Sequence, residues 1–145
     1  MITPLYFADG SKVDRCIVGE GSEIYGEVYN SVIGSGVVIE EGTVVRDSII
    51  MSGTRIGRNC TIDKAIVAEN VEVGDNVVFS VGEYAESALN PKVYAFDLVT
   101  VAENSVIPSD VQIGKNTAIV GKTEAADYPN GLLASGQAIV KAGEM

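Results

Sequence analysis

Branched apolar residues return at every sixth position along much of this chain. Ile33, Ile39 and Val45 begin the series, Ile50, Ile56 and Ile62 continue it, and Val67, Val73 and Phe79 follow. Val101, Ile107, Ile113 and Ile119 resume the same step later. Between groups of three, one step is shortened to five, so the larger period is 17 residues, made of three sides of about six. An internal repeat of this length is the mark of a solenoid, whose units pack only against their neighbours.

Laid over one another, the copies show where the chain turns. Gly21, Gly36, Gly53, Asn70 and Asn104 fall in one column, and Gly42, Asn59, Asn76 and Asp110 in a second. Gly and Asn tolerate positive φ, so each column marks a corner between short strands. A three-sided coil with branched residues inside and such corners is an all-β, single-stranded parallel β-helix with triangular coils of about 17–18 residues. A sandwich would instead show turns every 8–12 residues without this register.

Composition agrees with a β fold and narrows the chemistry. Of 145 residues, Val and Ile supply 35 and Leu only five, and branched side chains favour pleated strands. There is no His. That removes imidazole bases, Ser–His and Cys–His nucleophile pairs and His-ligated metals. Ten basic against 20 acidic residues, a net charge of −10, argue against nucleic acid and anionic membrane as partners. No apolar run reaches the length of a membrane span or a secretory signal, so a cytoplasmic location is expected. The two cysteines, Cys16 and Cys60, fall on different sides and more than two coils apart, beyond the roughly 7 Å reach of a disulfide. Both read as buried structural thiols.

Residues 17 apart become neighbours on adjacent coils, about 4.8 Å apart. On this map Arg55 lies over Glu72, Arg46 over Asp63 and Asp47 over Lys64, while Glu41, Arg58 and Asp75 form one column. Each opposite-charge pair is expected to contribute about 0.2–1 kcal/mol. One column does not suit water. Ile17, Val32, Ile49 and Ile66 point outward on four successive coils, a flat apolar stripe of the kind isolated domains avoid. It is expected to dock another domain or subunit, the alternative being cover by a terminal segment of the same chain.

The expected organisation is a single domain over 1–145. Regular coils occupy 11–79, an aromatic-rich excursion that replaces about one coil occupies 80–98, final coils 99–120, and a C-terminal cap or tail 121–145. The distance from Val67 to Val101 is 34 residues, twice 17, so the excursion returns the chain to register. No phosphate-binding glycine loop and no Cys-x-x-Cys pair is present. The carboxylate pairs Glu40–Glu41 and Glu20–Glu23 fall at corners or in solvated columns. No catalytic, cofactor-binding or metal-ligating residue is therefore assigned.

Several stretches resemble the C-terminal domain of bacterial glucose-1-phosphate adenylyltransferase (ADP-glucose pyrophosphorylase). They are Asn30 to Gly34, Val45 to Gly57, Asp63 to Val67, Val106 to Asp110 and Ala134 to Lys141. The likeness runs from about Pro4 to Glu144. It implies that the β-helix is left-handed. It also implies an enzyme that makes ADP-glucose and diphosphate from ATP and glucose 1-phosphate for glycogen synthesis. ATP and Mg²⁺ would belong to a preceding catalytic nucleotidyltransferase domain, absent here, so the chain reads as the inactive back third of a larger enzyme. The implied partners are that N-terminal catalytic domain, further copies in a homotetramer, and an anionic sugar-phosphate effector held partly by basic residues. Arg46, Arg55, Arg58 and Lys64 are the candidate effector residues, although the charge columns already give them partners. The coil starting at Val67, where the family would place a base, reads Ala68, Glu69, Asn70. Three other readings stay open: the matching domain of another sugar-1-phosphate nucleotidyltransferase, a non-catalytic glycogen-pathway paralogue, and a hexapeptide-repeat acyltransferase. The last generally needs a His base that this chain lacks.

Overall fold

A computed structural model describes residues 4–141. Residues 1–3 and 142–145, the two ends of the expected domain, lie outside the described residues. The six-residue step folds into short strands on three faces of a prism, and every ladder is parallel. The first sheet stacks Tyr6–Phe7, Glu23–Ile24, Val38–Ile39, Arg55–Ile56, Glu72–Val73 and Val106–Ile107. The second stacks Lys12–Asp14, Glu27–Tyr29, Val44–Arg46, Thr61–Asp63, Val78–Val81, Gln112–Gly114 and Leu132–Leu133. The third stacks Ile17–Val18, Val32–Ile33, Ile49–Ile50, Ala65–Val67, Val99–Val101, Thr117–Val120 and Ala138–Val140. The coils form a left-handed β-helix.

The repeat positions make the core. Ile39, Val45, Ile50, Ile56, Ile62 and Val67 are fully buried, and Ile113 and Ile119 continue the column. Each such side chain contributes about 1.5–3 kcal/mol by leaving water. Between them, buried hydroxyls serve the backbone at the corners. Thr43 Oγ1 donates to the Gly57 carbonyl and accepts from the Cys60 N–H one coil on. Thr54 does the same for the Ala68 carbonyl and the Val71 N–H, and Ser48 for the Arg46 carbonyl and the Ala65 N–H. No buried side-chain nitrogen or oxygen is left without a partner among the described residues. Cys60 sits in the same inward column, where burial pushes its thiol pKa up, and Cys16 is half-buried; both are free.

Both corner columns read from the sequence have positive φ, for example Gly53 at 77° and Asn59 at 55°. A third column, not visible in the sequence, completes the triangle. Arg15, Asn30, Asp47 and Lys64 turn with φ of 53°, 48°, 49° and 51°. Arg and Lys carry no left-handed preference, so residue type alone could not mark it. Elsewhere glycine is required by close approach. A Cβ on Gly57 would run into the Gly74 carbonyl, and one on Gly74 would stand 2.6 Å from the Ser109 N–H nitrogen.

The excursion is an insertion at the third corner and does not replace a coil. The strand Val78–Val81 closes its own coil, and Ala65–Val67 pairs directly with Val99–Val101. Partners across the excursion are therefore 34 apart, as in Glu72↔Val106. A looped-out segment of any length would preserve that stacking, so twice 17 carries no structural meaning. The inserted segment is pinned by one side chain. Asn116 Oδ1 accepts from the Asp97 N–H (2.8 Å), and Asn116 Nδ2 donates to the Ala85 carbonyl (2.9 Å).

The tail pairs as two strands round a corner, on Gln112–Gly114 and on Thr117–Val120. Two 3-10 turns, Ala125–Asp127 and Pro129–Gly131, bring it there. Tyr128 is buried beside them, its hydroxyl 2.8 Å from Thr123 Oγ1.

Candidate functional site

The register expected for the charges holds, but the ion pairs do not form across it. Arg55 is aligned with Glu72, and Arg46 with Asp63. Arg55 instead bonds Glu40, one coil back on the N-terminal side. Arg46 lies over the Tyr29 ring, 5.3 Å from its centroid, a cation–π contact that leaves Asp63 aside. Asp47 accepts from Asn30 Nδ2 (2.8 Å) and does not reach Lys64. Asp75 accepts from the backbone N–H of Arg58, not from its guanidinium. Long side chains on a convex prism reach toward whichever neighbour covers their apolar stems, and Cα register does not set that direction.

The four candidate bases fall into two groups. Arg55 and Arg58 line one open cleft of about 550 Å³ along the first sheet, with Glu40, Glu72, Asp75 and Ser109. Arg46 lines a smaller hollow of about 270 Å³ at the third corner, with Arg15, Tyr29, Asn30 and Asp47. Arg15 was not singled out from the sequence, because its role depends on the unsignalled third corner. Lys64 belongs to that corner but to neither cleft. Among the described residues Arg58 and Lys64 make no ion pair. The larger cleft is amphoteric: three carboxylates face two guanidiniums. No group of three or more His, Cys, Asp or Glu that could hold a metal ion gathers among the described residues.

The four stripe residues stack on adjacent strands of the third sheet, and three of them are exposed. Ile17 is 71% exposed, Val32 44% and Ile49 41%, while Ile66 is half-buried. The column continues through Thr100 to Ala118, and Ala118 is buried two residues beyond Asn116, which holds the excursion. The excursion itself carries exposed Tyr84, Leu89, Val93 and Phe96. No described helix is long and apolar enough to cross a membrane.

A three-faced coil of parallel strands with a six-residue step defines the hexapeptide-repeat β-helix class. A family model for the GlmU-like, C-terminal hexapeptide matches residues 8–87, and the chain belongs to that family. Three relatives extend the likeness to nearly the whole chain. The glucose-1-phosphate adenylyltransferase of Lachnospira eligens is 62% identical over 143 residues, 99% of this chain and 34% of that protein. That of Thermotoga maritima is 60% identical over 137 residues (94% and 32%), and that of Acetivibrio thermocellus 40% over 139 (96% and 33%). The chain thus spans about a third of the length of these relatives.

Proposed function

We propose that this chain is the C-terminal assembly and regulatory part of a cytoplasmic glucose-1-phosphate adenylyltransferase. The parent enzyme would convert ATP and glucose 1-phosphate to ADP-glucose and diphosphate. The observation that carries the proposal is 62% identity to a protein of that name across 99% of this chain. The prominent apolar stripe, suited to a neighbour, supports the assembly role. ATP and Mg²⁺ would be bound outside these 145 residues. The acyltransferase reading is disfavoured by the complete absence of His.

For an anionic effector the Arg55–Arg58 cleft is the better of the two basic groups. Its volume suits a sugar phosphate, and Arg58 makes no ion pair among the described residues, while Arg55 would have to leave Glu40. Arg46 is committed to Tyr29. A diphosphate-release assay tests the main proposal. The isolated chain with ATP, glucose 1-phosphate and Mg²⁺ should give no release above a blank, and any sustained release overturns it. Titrating the parent enzyme with fructose 1,6-bisphosphate and with phosphate tests the effector site. Arg58→Ala should weaken the response at least tenfold if one charge-assisted contact of about 1.5–3 kcal/mol is lost, and Arg46→Ala should not. An equal response in both variants removes the cleft from consideration.

A further inference from the structure

The turn that carries the tail back onto the coils holds an asparagine in a reactive sequence. An asparagine side-chain amide is open to attack by the backbone nitrogen of the next residue, and the chief obstacle is a side chain crowding that nitrogen. Of the eight asparagines, seven precede a residue that has a side chain, and Asn130 alone precedes a glycine. Asn130 is exposed and stands in a left-handed conformation, φ 54° and ψ 28°, in the middle of the 3-10 turn Pro129–Gly131. Such backbone strain persists only where neighbouring contacts over-determine it.

Those contacts withhold the reaction. The Gly131 N–H donates to the Tyr128 carbonyl (2.9 Å), and the Leu132 N–H donates to the Pro129 carbonyl. At ψ 28° the Gly131 nitrogen lies on the far side of the Asn130 Cα–C bond from Cβ. Ring closure therefore requires that bond to turn and the hydrogen bond to Tyr128 to break. Tyr128 is itself anchored, with its ring buried and its hydroxyl 2.8 Å from Thr123 Oγ1, while Asp127 pairs with Lys141 at 3.1 Å. The reactive geometry is reached when this turn opens. Local openings of that kind need far less free energy than global unfolding.

We propose that Asn130 is a site of spontaneous deamidation, gated by the turn from Tyr128 to Gly131. Hydroxide takes the Gly131 amide proton, and the nitrogen forms a bond to Asn130 Cγ. The bond from Cγ to the side-chain nitrogen breaks, and ammonia leaves with a proton from water, which restores the hydroxide. A five-membered succinimide remains. Water then breaks one of its two ring C–N bonds. Loss of the Cγ–N bond leaves aspartate at position 130, and loss of the backbone C–N bond leaves isoaspartate, with the chain routed through Cγ. The net reaction consumes one water and releases one ammonia. Isoaspartate lengthens the backbone by one carbon just before the strand Leu132–Leu133, whose register with Gln112 and Ile113 buries Leu133. The product thus loosens the closure of the solenoid's C-terminal end.

Timed incubation of the 145-residue chain at mildly alkaline pH, with mass mapping of the tryptic peptide from Thr123 to Lys141, tests this. Asn130 should lose its amide before any other asparagine, at a rate that rises with hydroxide. In urea the loss should run about tenfold faster or more, because the gate is gone. Tyr128→Phe removes the contact with Thr123 and should speed the folded chain about two- to tenfold while leaving the urea rate unchanged. Gly131→Ala, compared in urea where folding plays no part, should slow the loss severalfold. Hydrogen exchange over residues 132–140 should be faster in the aged chain than in the fresh one. Loss first at another asparagine overturns the proposal, as does an intact Asn130 in the folded chain once the unfolded chain has reacted. Equal folded and unfolded rates, or Tyr128→Phe reacting like wild type, remove the gate. An unchanged urea rate in Gly131→Ala rules out attack by that nitrogen, and an aged tail that exchanges like the fresh one rules out the loosening.

Discussion

At the scale of single residues, the fold depends on small side chains that do backbone work. Thr54 is fully buried and bridges the Ala68 carbonyl and the Val71 N–H on the next coil. Thr54→Val keeps shape but orphans both groups, so it should cost about 1–3 kcal/mol. Urea denaturation measures this, and a loss below about 0.5 kcal/mol contradicts the role assigned here. Tyr128 gives a pH prediction. Burial first, then the nearby Asp127 charge, push its phenol up to about 12, against the opposing effect of the hydrogen bond shared with Thr123. The folded value lies above the ordinary 10, so the fold favours the neutral phenol. Its contribution is complete below pH 10 and is lost as pH rises through about 12. An absorbance titration should show a late tyrosine step that disappears in Tyr128→Phe. The inward columns were readable at this scale because branched apolar residues recur at nearly every sixth position. The hydroxyl bridges were not, since Ser and Thr at an inward position look the same in sequence whether or not they span two coils.

At the scale of elements, corners and insertions decide what can change. Two corners were legible because Gly and Asn mark left-handed backbone; the third, with Arg15 and Lys64 among its residues, was hidden by side chains that carry no such preference. The candidate clefts depend on that corner and on which way long side chains lean, so sequence placed the bases in the right columns but paired them wrongly. Arg55 with Glu40 and Arg46 with Tyr29 are tertiary choices that Cα register does not fix. The excursion was misread as a lost coil because its length happens to equal the period. Since the strands on either side stack directly on their neighbours, replacing residues 83–97 by a short Gly/Asn corner should leave the solenoid intact. Far-UV circular dichroism should be unchanged in shape, with a stability loss of about 1–3 kcal/mol from the orphaned Asn116 amide. Loss of the β signal would show that the excursion is part of a coil after all.

At the scale of the whole molecule, the solenoid is asymmetric in a way that suits a part of something larger. Its C-terminal end is closed by the tail strands, Leu133 and Tyr128, whereas Tyr6, Phe7 and Ile17 stay exposed at the other end. The stripe runs along that open half. The chain carries a net charge of −10 and has no His. The prism presents one apolar face and one amphoteric cleft, features that support the assembly role proposed above. The central claim is that these residues assemble the parent enzyme. Sedimentation velocity on the parent protein with and without the region corresponding to residues 4–141 tests it most directly. The intact protein should sediment as a closed oligomer and the shortened one as a smaller species at the same concentration; identical assembly in both would contradict the account.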